Sequence, residues 1–373
     1  MTRSPLIVGA LAVAFATAGC QPSAEVPSAT ALATASAQPG ESVPDRPATG
    51  VEPWTDYGDF VVDSNKAIVP AYNLSTEERW EDYDYLMRIG GTAQARWVGS
   101  WENDTRVAGL AREVYQAAGE TGRIGLVAYQ GMRDYPCERA ASDPSLEAAY
   151  AARNEALVAD LAGTGAQAWI ILEPALLQTL DTCEGDPRAG WLAGAVQTIT
   201  AAGAVVYLDA SGLAELPPAD AAARIAGLRN HGVDLSAIAG FSLNSGQHRA
   251  TGEIAAWGEE MLAALAAQGV ETTAARVGTD PGEPGIGFIV DTSRNGVPLP
   301  PGQCNAPEAG LGAPPRLVGH GALDAVVWIK RPGESDGTCN EGLQIGQFAL
   351  AKALQLAKQG VAEDPALPPR DTP

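Results

Sequence analysis

Between residues 95 and 330 the chain alternates short apolar runs with longer amphipathic ones. The short runs cover residues 95–101, 124–129, 169–173, 205–209, 238–243, 286–291 and 325–330, and most are rich in Val, Ile and Leu. Near-continuous apolarity bounded by turn residues predicts strands buried on both faces. Between them, stretches such as 146–161 and 254–268 are Ala-rich with apolar residues at helical spacing, and Gly163 and Gly269 follow as stop signals. Strand and helix in alternation predict an α/β protein with a parallel sheet. About seven strands, one short of eight, predict a distorted, incompletely closed parallel β/α barrel. A doubly wound open sheet is the alternative, and the Gly-rich phosphate fingerprint that would support it does not follow the first strand.

The flanks read differently. Residues 1–19 carry Arg3 and an apolar run from Leu6 to Ala16, too short to span a bilayer, which reads as an export signal. Ala18 and Gly19 before Cys20 fit the lipoprotein form of that signal, in which Cys20 becomes the lipidated first residue; ordinary cleavage is the alternative. Residues 21–50 are Pro, Ser, Ala and Thr with few large apolar side chains, and read as a disordered tether. Residues 51–361 form the domain, and 362–373 read as a loose Pro-rich tail.

With 373 residues and 46% apolar content the chain suffices for one barrel-sized core. Its formal charge of −21 argues against nucleic acid and against anionic membrane surfaces, leaving the lipid at Cys20 as the expected membrane contact. A neutral polymer is compatible with that charge. Beyond Cys20 there are four cysteines, Cys137, Cys183, Cys304 and Cys339, an even number that in an oxidising compartment predicts two disulfides. Three pairings are open on sequence alone. His231, His248 and His320 stand in no ligand spacing, so neither a metal nor another cofactor is expected.

Chemistry in a parallel barrel collects at the carboxyl ends of its strands. The string VWIKRPGESDG, from Val327 to Gly337, places Lys330, Glu334 and Asp336 just beyond an apolar strand on a Pro-Gly turn, and DTSRNG places Asp291 and Arg294 beyond another. These strings resemble glycoside hydrolase family 6, the inverting β-1,4-glucanases and cellobiohydrolases, and the resemblance covers most of residues 90–345. It implies a seven-stranded distorted barrel, a β-glucan or oligosaccharide substrate, and the pairings Cys137 with Cys183 and Cys304 with Cys339. Inversion needs one carboxylic acid to protonate the leaving oxygen and a second carboxylate to direct water to the other face of the sugar.

The resemblance assigns roles residue by residue. In ARWVGSW, Trp97 stands where the family stacks a Trp on a glucosyl unit, and Tyr129 where a Tyr lies beneath the sugar at the cleavage point. In YQGMRDYPC, Asp134 matches the carboxylate that organises the water chain, although Tyr135 and Pro136 separate it from Cys137 where the family has none. Asp209 of YLDASGL is kept, with Gly212 in place of a His. Asn244 of LNSGQHRAT, with His248 or Arg249, is expected to read hydroxyls. Asp291 and Arg294 are expected to fix loops as a charge-assisted pair. Trp328, Lys330 and Glu334 are expected to contact sugar, and Asp336 matches the carboxylate proposed as catalytic base.

One position breaks the pattern. WIILEPALL resembles the strand that ends Glu-Pro-Asp in the family, the Asp being the general acid, and this chain has Ala175 there. A positioned general acid contributes roughly 10² to 10⁴ in rate. Glu138, Asp181 and Glu184 are nearby substitutes. Three functions follow: a glucanase, impaired or rescued; a non-catalytic carbohydrate-binding lipoprotein; or a hydrolase of a different glycan.

Overall fold

The computed structural model describes residues 46–272 and 285–369. The residues expected as an export signal, Cys20 and the expected tether up to residue 45 lie outside the described residues. Eight strands form one curled sheet: β1 Arg96–Gly99, β2 Gly125–Gln130, β3 Ala168–Leu172, β4 Val205–Asp209, β5 Gly240–Leu243, β6 Gly287–Asp291, β7 Arg316–His320 and β8 Leu323–Val327. Their spatial order is β1-β2-β3-β4-β5-β6-β8-β7, and every neighbouring pair is parallel except β8 with β7. The seven parallel strands are the seven apolar runs of the sequence. β7 was not foreseen, because RLVGH is half-exposed and lacks the unbroken apolarity of a central strand.

The sheet curls until its first and last parallel strands nearly meet. The backbone N–H of Ala95, just before β1, donates to the carbonyl of Trp328, just after β8, at 2.8 Å. The segment around Phe60 also bridges the seam: Val61 N–H donates to Ile124 O at 2.9 Å, and the Asp59 carboxylate accepts the N–H of Leu317 on β7 at 3.0 Å. Phe60 thereby enters the barrel interior and meets Trp169 edge-on, centroids 5.6 Å apart. Strand alternation sorts the rest: Ala128, Ile171, Tyr207, Ile289, Val327 and Ile329 fill the interior, while Val127, Ile170, Leu208 and Val290 face the surrounding helices.

Those helices are α1 Ile68–Thr76, α2 Trp80–Gly90, α3 Asp104–Thr121, α4 Ser145–Val158, α5 Arg188–Ala201, α6 Pro218–Gly227, α7 Thr251–Ala267 and α8 Leu350–Lys358. Local chemistry explains their limits. Asn103 caps α3 by accepting the N–H of Arg106 at 2.9 Å, and Gly122, at φ 69°, ends it in the left-handed conformation. The stretch expected as one helix over 146–161 stops at Val158 and resumes as a single turn at Leu161. Of the tail expected to be loose, residues 362–369 are described; most are exposed or half-exposed, while Leu367 is buried and the Pro368 carbonyl accepts from Arg316. An apolar side chain within a polar segment is enough to anchor it.

Two disulfides are present, Cys137–Cys183 and Cys304–Cys339, with Cα atoms 5.9 and 6.2 Å apart. Each ties loops beyond the carboxyl ends of strands, where mobility would otherwise concentrate.

Candidate active site

A cleft of 1420 Å³ lies over the carboxyl ends of the strands. Its wall takes Trp97 from β1, Gln130 from the end of β2, Ala175 from beyond β3, Asp209 from the end of β4, Ser245 from beyond β5, Arg294 from beyond β6, and Lys330, Glu334 and Asp336 from beyond β8. One strand end after another delivers a polar group to one concave surface.

Asp336 is held by two cations. Arg294 Nη1 donates to its Oδ2 at 2.7 Å, Lys330 Nζ lies 3.0 Å from its Oδ1, and the backbone N–H of Asn305 donates to Oδ2 at 2.9 Å. Burial alone would raise this carboxyl, yet the two positive charges and the hydrogen bonds hold it well below the usual carboxylate range. Asp336 is therefore ionised near neutral pH and a weak proton acceptor. Arg294 is itself fixed by donating from Nε to the Gly246 carbonyl at 2.8 Å. Burial lowers Lys330, and burial with the charge of Arg294 pushes His248 down to about 4, so that imidazole is neutral near pH 7.

Asp209 has a different shell. Its Oδ1 accepts the N–H of Ala175 at 3.2 Å, and its Oδ2 accepts the hydroxyls of Ser211 and Ser242, each at 2.9 Å, and that of Ser245. Burial raises this carboxyl and outweighs the four hydrogen bonds. Across the cleft Asp134 is exposed and accepts the Ser100 hydroxyl at 2.7 Å.

Asp291 is a buried hub rather than a cleft residue. It accepts the backbone N–H groups of Gly246, Ser293, Ile329 and Lys330 at 2.8, 2.9, 3.2 and 2.9 Å, locking three loop starts to one carboxylate. Asp291 and Arg294 both fix loops, as expected, but not as a pair: the ion partner of Arg294 is Asp336.

The model of Glycosyl hydrolases family 6 matches residues 57–359. The chain belongs to that family. Endoglucanase A of Cellulomonas fimi is 30% identical over 279 residues, covering 74% of this chain and 56% of the relative, so the chain spans little more than half of that protein's length. Endoglucanase 1 of Streptomyces halstedii is 33% identical over 282 residues, 72% of this chain and 79% of its own. Among solved structures, the endoglucanase Cel6 of Mycobacterium tuberculosis, determined with a methyl-cellobiosyl-4-deoxy-4-thio-β-D-cellobioside, superposes with a TM-score of 0.64 at 27% identity, covering 84% of this chain and 99% of that one.

Against the family expectations, the structure gathers Trp97, Asp134, Asp209, Lys330, Glu334 and Asp336 around the cleft. It does not bring Tyr129, Asn244 or Trp328 there. Tyr129 is fully buried on the outer side of β2, stacked on Tyr150 with centroids 6.3 Å apart, and its hydroxyl donates to Asn154 at 2.7 Å. Trp328 is fully buried under α8, edge-on to Trp54, with its indole N–H donating to Ala313 O at 3.0 Å. Alternation decides both cases: Ala128 and Val327 point inward, so the residues after them point outward. Asn244, buried at φ 63°, spends its amide on the carbonyls of Asp291 and Arg249. None of these three presents a face to a ligand.

Residues outside the family motifs also line the cleft. Trp101 is 41% exposed there, with the Arg133 guanidinium 5.3 Å from its ring centre. Gln130, one residue past Tyr129 and pointing the other way, donates to Pro174 O at 2.7 Å. Gln178 stands beside Ala175 on the wall. Of the residues considered as substitute acids, Glu138, Asp181 and Glu184 are all absent from the cleft wall.

Proposed function

We propose that this chain is an exported family 6 glucanase that cleaves β-1,4-glucan with inversion. The observation that carries the reading is the convergence of Asp134, Asp209 and Asp336 with Trp97 on one cleft at the carboxyl ends of an incompletely closed barrel. The endoglucanase relatives support the same substrate class.

The geometry divides the work. Trp97, anchored by its indole N–H on Ile329 O at 2.7 Å, offers an aromatic surface to a sugar ring. Lys330 and Glu334 are the hydroxyl-reading groups near it. Asp134, exposed and oriented by Ser100, is the group suited to order water for attack at C1 and to receive its proton. Asp336, held ionised, supports the developing positive charge on the sugar and is a poor base. Ala175 gives no proton. Incubation with cellohexaose should release shorter oligosaccharides, and proton NMR should find the new reducing ends first in the α configuration. Absence of turnover at every pH with binding intact would remove the enzyme reading.

Ala175 favours a second reading, a carbohydrate-binding protein that kept the cleft and lost the acid. Calorimetry with cellohexaose would then record binding with no later heat of hydrolysis.

Export with a lipid at Cys20 completes the proposal, supported by the two disulfides and the sequence around Cys20. Labelled palmitate should enter the protein and fail to enter Cys20→Ser; equal labelling of both would sink the anchor.

A further inference from the structure

Inverting cleavage must deliver a proton to the leaving oxygen while water attacks C1 from the opposite face. Residue 175, where the family places that proton, is an exposed Ala on the cleft wall. The adjacent carboxyl is Asp209, one hydrogen bond from the backbone of residue 175. It closes β4 and points inward, because Tyr207 two residues earlier fills the barrel interior.

The shell of Asp209 separates it from the other two cleft aspartates. Among the described residues no Lys or Arg forms an ion pair with it, whereas Asp336 has two. Its partners are the Ala175 N–H and three Ser hydroxyls, all neutral. A carboxyl buried without a cation favours the protonated form, and burial does raise this group. Ser211 and Ser242 are buried with it, while Ser245 is half-exposed on the cleft wall and hydrogen-bonds Asp209 Oδ2 directly. The Ser245 hydroxyl donates to the ionised carboxylate; with Asp209 protonated the bond reverses, so that Ser245 Oγ accepts from Asp209 and its own proton turns to the cleft. Asp209, Ser245 and the cleft therefore form a continuous path.

We propose that Asp209 is the proton source for the leaving group in this chain, with the Ser245 hydroxyl as the group that touches the glycosidic oxygen. The inference rests on the glucanase reading above. As the C1–O bond breaks, the leaving oxygen takes the Ser245 hydroxyl proton and Ser245 takes the proton of Asp209. Water bonds to C1 from the other face and loses its proton toward Asp134. Asp209 is left ionised and is reprotonated from solvent through the same hydroxyl.

Two substrates separate this role from a structural one. Cellotetraose needs its leaving oxygen protonated, whereas the dinitrophenolate of 2,4-dinitrophenyl β-cellobioside leaves unaided. Wild type should cleave both. Asp209→Asn should lose about 10²-fold or more on cellotetraose, keep its rate on the aryl glycoside, and lose the alkaline limb of the wild-type pH profile. Equal loss on both substrates, or none on cellotetraose, would overturn the proposal. If Asp209→Asn does not fold, Ser245→Ala decides by the same comparison. Wild type that cleaves the aryl glycoside but not cellotetraose would overturn the Asp209 role and leave the glucanase cleft standing. Wild type that cleaves neither would overturn the glucanase reading itself.

Discussion

The side chain of Gln178 occupies the space that a Cβ on Gly212 would need, with Oε1 1.9 Å and Cβ 3.0 Å from that position. Gly212 stands where the family resemblance places a His, and the amide of Gln178 fills the space into which any side chain at residue 212 would start. The two positions are coupled by sterics, and substituting one without the other creates overlap.

Gly212→Ala should therefore lower stability by about 1–3 kcal/mol, the usual cost of overpacking. Rotating the amide relieves only part of the collision, because the Gln178 Cβ is itself close. The double variant Gln178→Ala with Gly212→Ala removes the amide and keeps that Cβ, so it should recover the part of the loss that the amide causes. Thermal denaturation of the three proteins checks this; a wild-type midpoint for Gly212→Ala alone would show that Gln178 moves freely.

Glu173 gives the fold a pH dependence opposite to that of Asp336. Its carboxylate accepts the N–H groups of Gly131 at 2.9 Å and Met132 at 3.2 Å, yet complete burial pushes it up to about 7. A carboxyl raised above its unfolded value contributes stability that is whole below the unfolded pKa and is lost as pH rises toward 7. The span is on the order of 3 kcal/mol. Asp336, depressed, contributes stability present above the unfolded value near 4 and lost as pH falls below it. Denaturant titrations from pH 4.5 to 9 should show wild type weakening relative to Glu173→Gln, with the two curves parallel above pH 8. Parallel curves throughout would mean that Glu173 is ionised when folded from pH 4.5 upward.

Trp101 and Trp328 should respond to truncation in opposite ways. Trp328 is wholly buried and hydrogen-bonded to Ala313, so Trp328→Ala should cost about 3–5 kcal/mol of stability. Trp101 is exposed on the cleft wall with one face against Arg133, and Trp101→Ala should leave stability nearly unchanged. Its loss should instead weaken cellohexaose binding by about 1 kcal/mol. Thermal melts and calorimetry on both variants read the two quantities separately. A stable Trp328→Ala with weakened binding would return that indole to the sugar site.

The barrel was legible because seven buried strands need seven apolar runs, and no other pattern fills both faces of a parallel sheet. The strand β7 was not, since an antiparallel edge half open to solvent carries only a weak apolar signature. At the site, Asp336 was legible from its place after a strand end, and Asp134 and Asp209 from the family resemblance. The faces of Tyr129 and Trp328 were misread although the means to read them was present: counting alternation from Ala128 and Val327 points both outward, and the same count finds Gln130 on the cleft. Gln178 and Ser245 follow from neither rule. Gln178 reaches the wall from a helical turn beyond β3, and Ser245 from the loop turned by Asn244.

Residue 175 itself provides the last test. Its φ is 67°, in the left-handed region, where a non-Gly residue is disfavoured and Asp is better tolerated than Ala. Ala175→Asp should thus fold with an unchanged or slightly raised melting temperature, although its new carboxyl would sit beside Asp209. That proximity makes the two share charge, so one of them stays protonated to higher pH. With Asp209 already supplying the proton, Ala175→Asp alone should change cellotetraose turnover little. In the Asp209→Asn background it should recover a large part of the lost rate, since a carboxyl at 175 replaces the missing source. Steady-state rates on cellotetraose for the single and double variants decide the matter: a rise of about 10²-fold or more in Ala175→Asp alone would mean that the native cleft has no working acid.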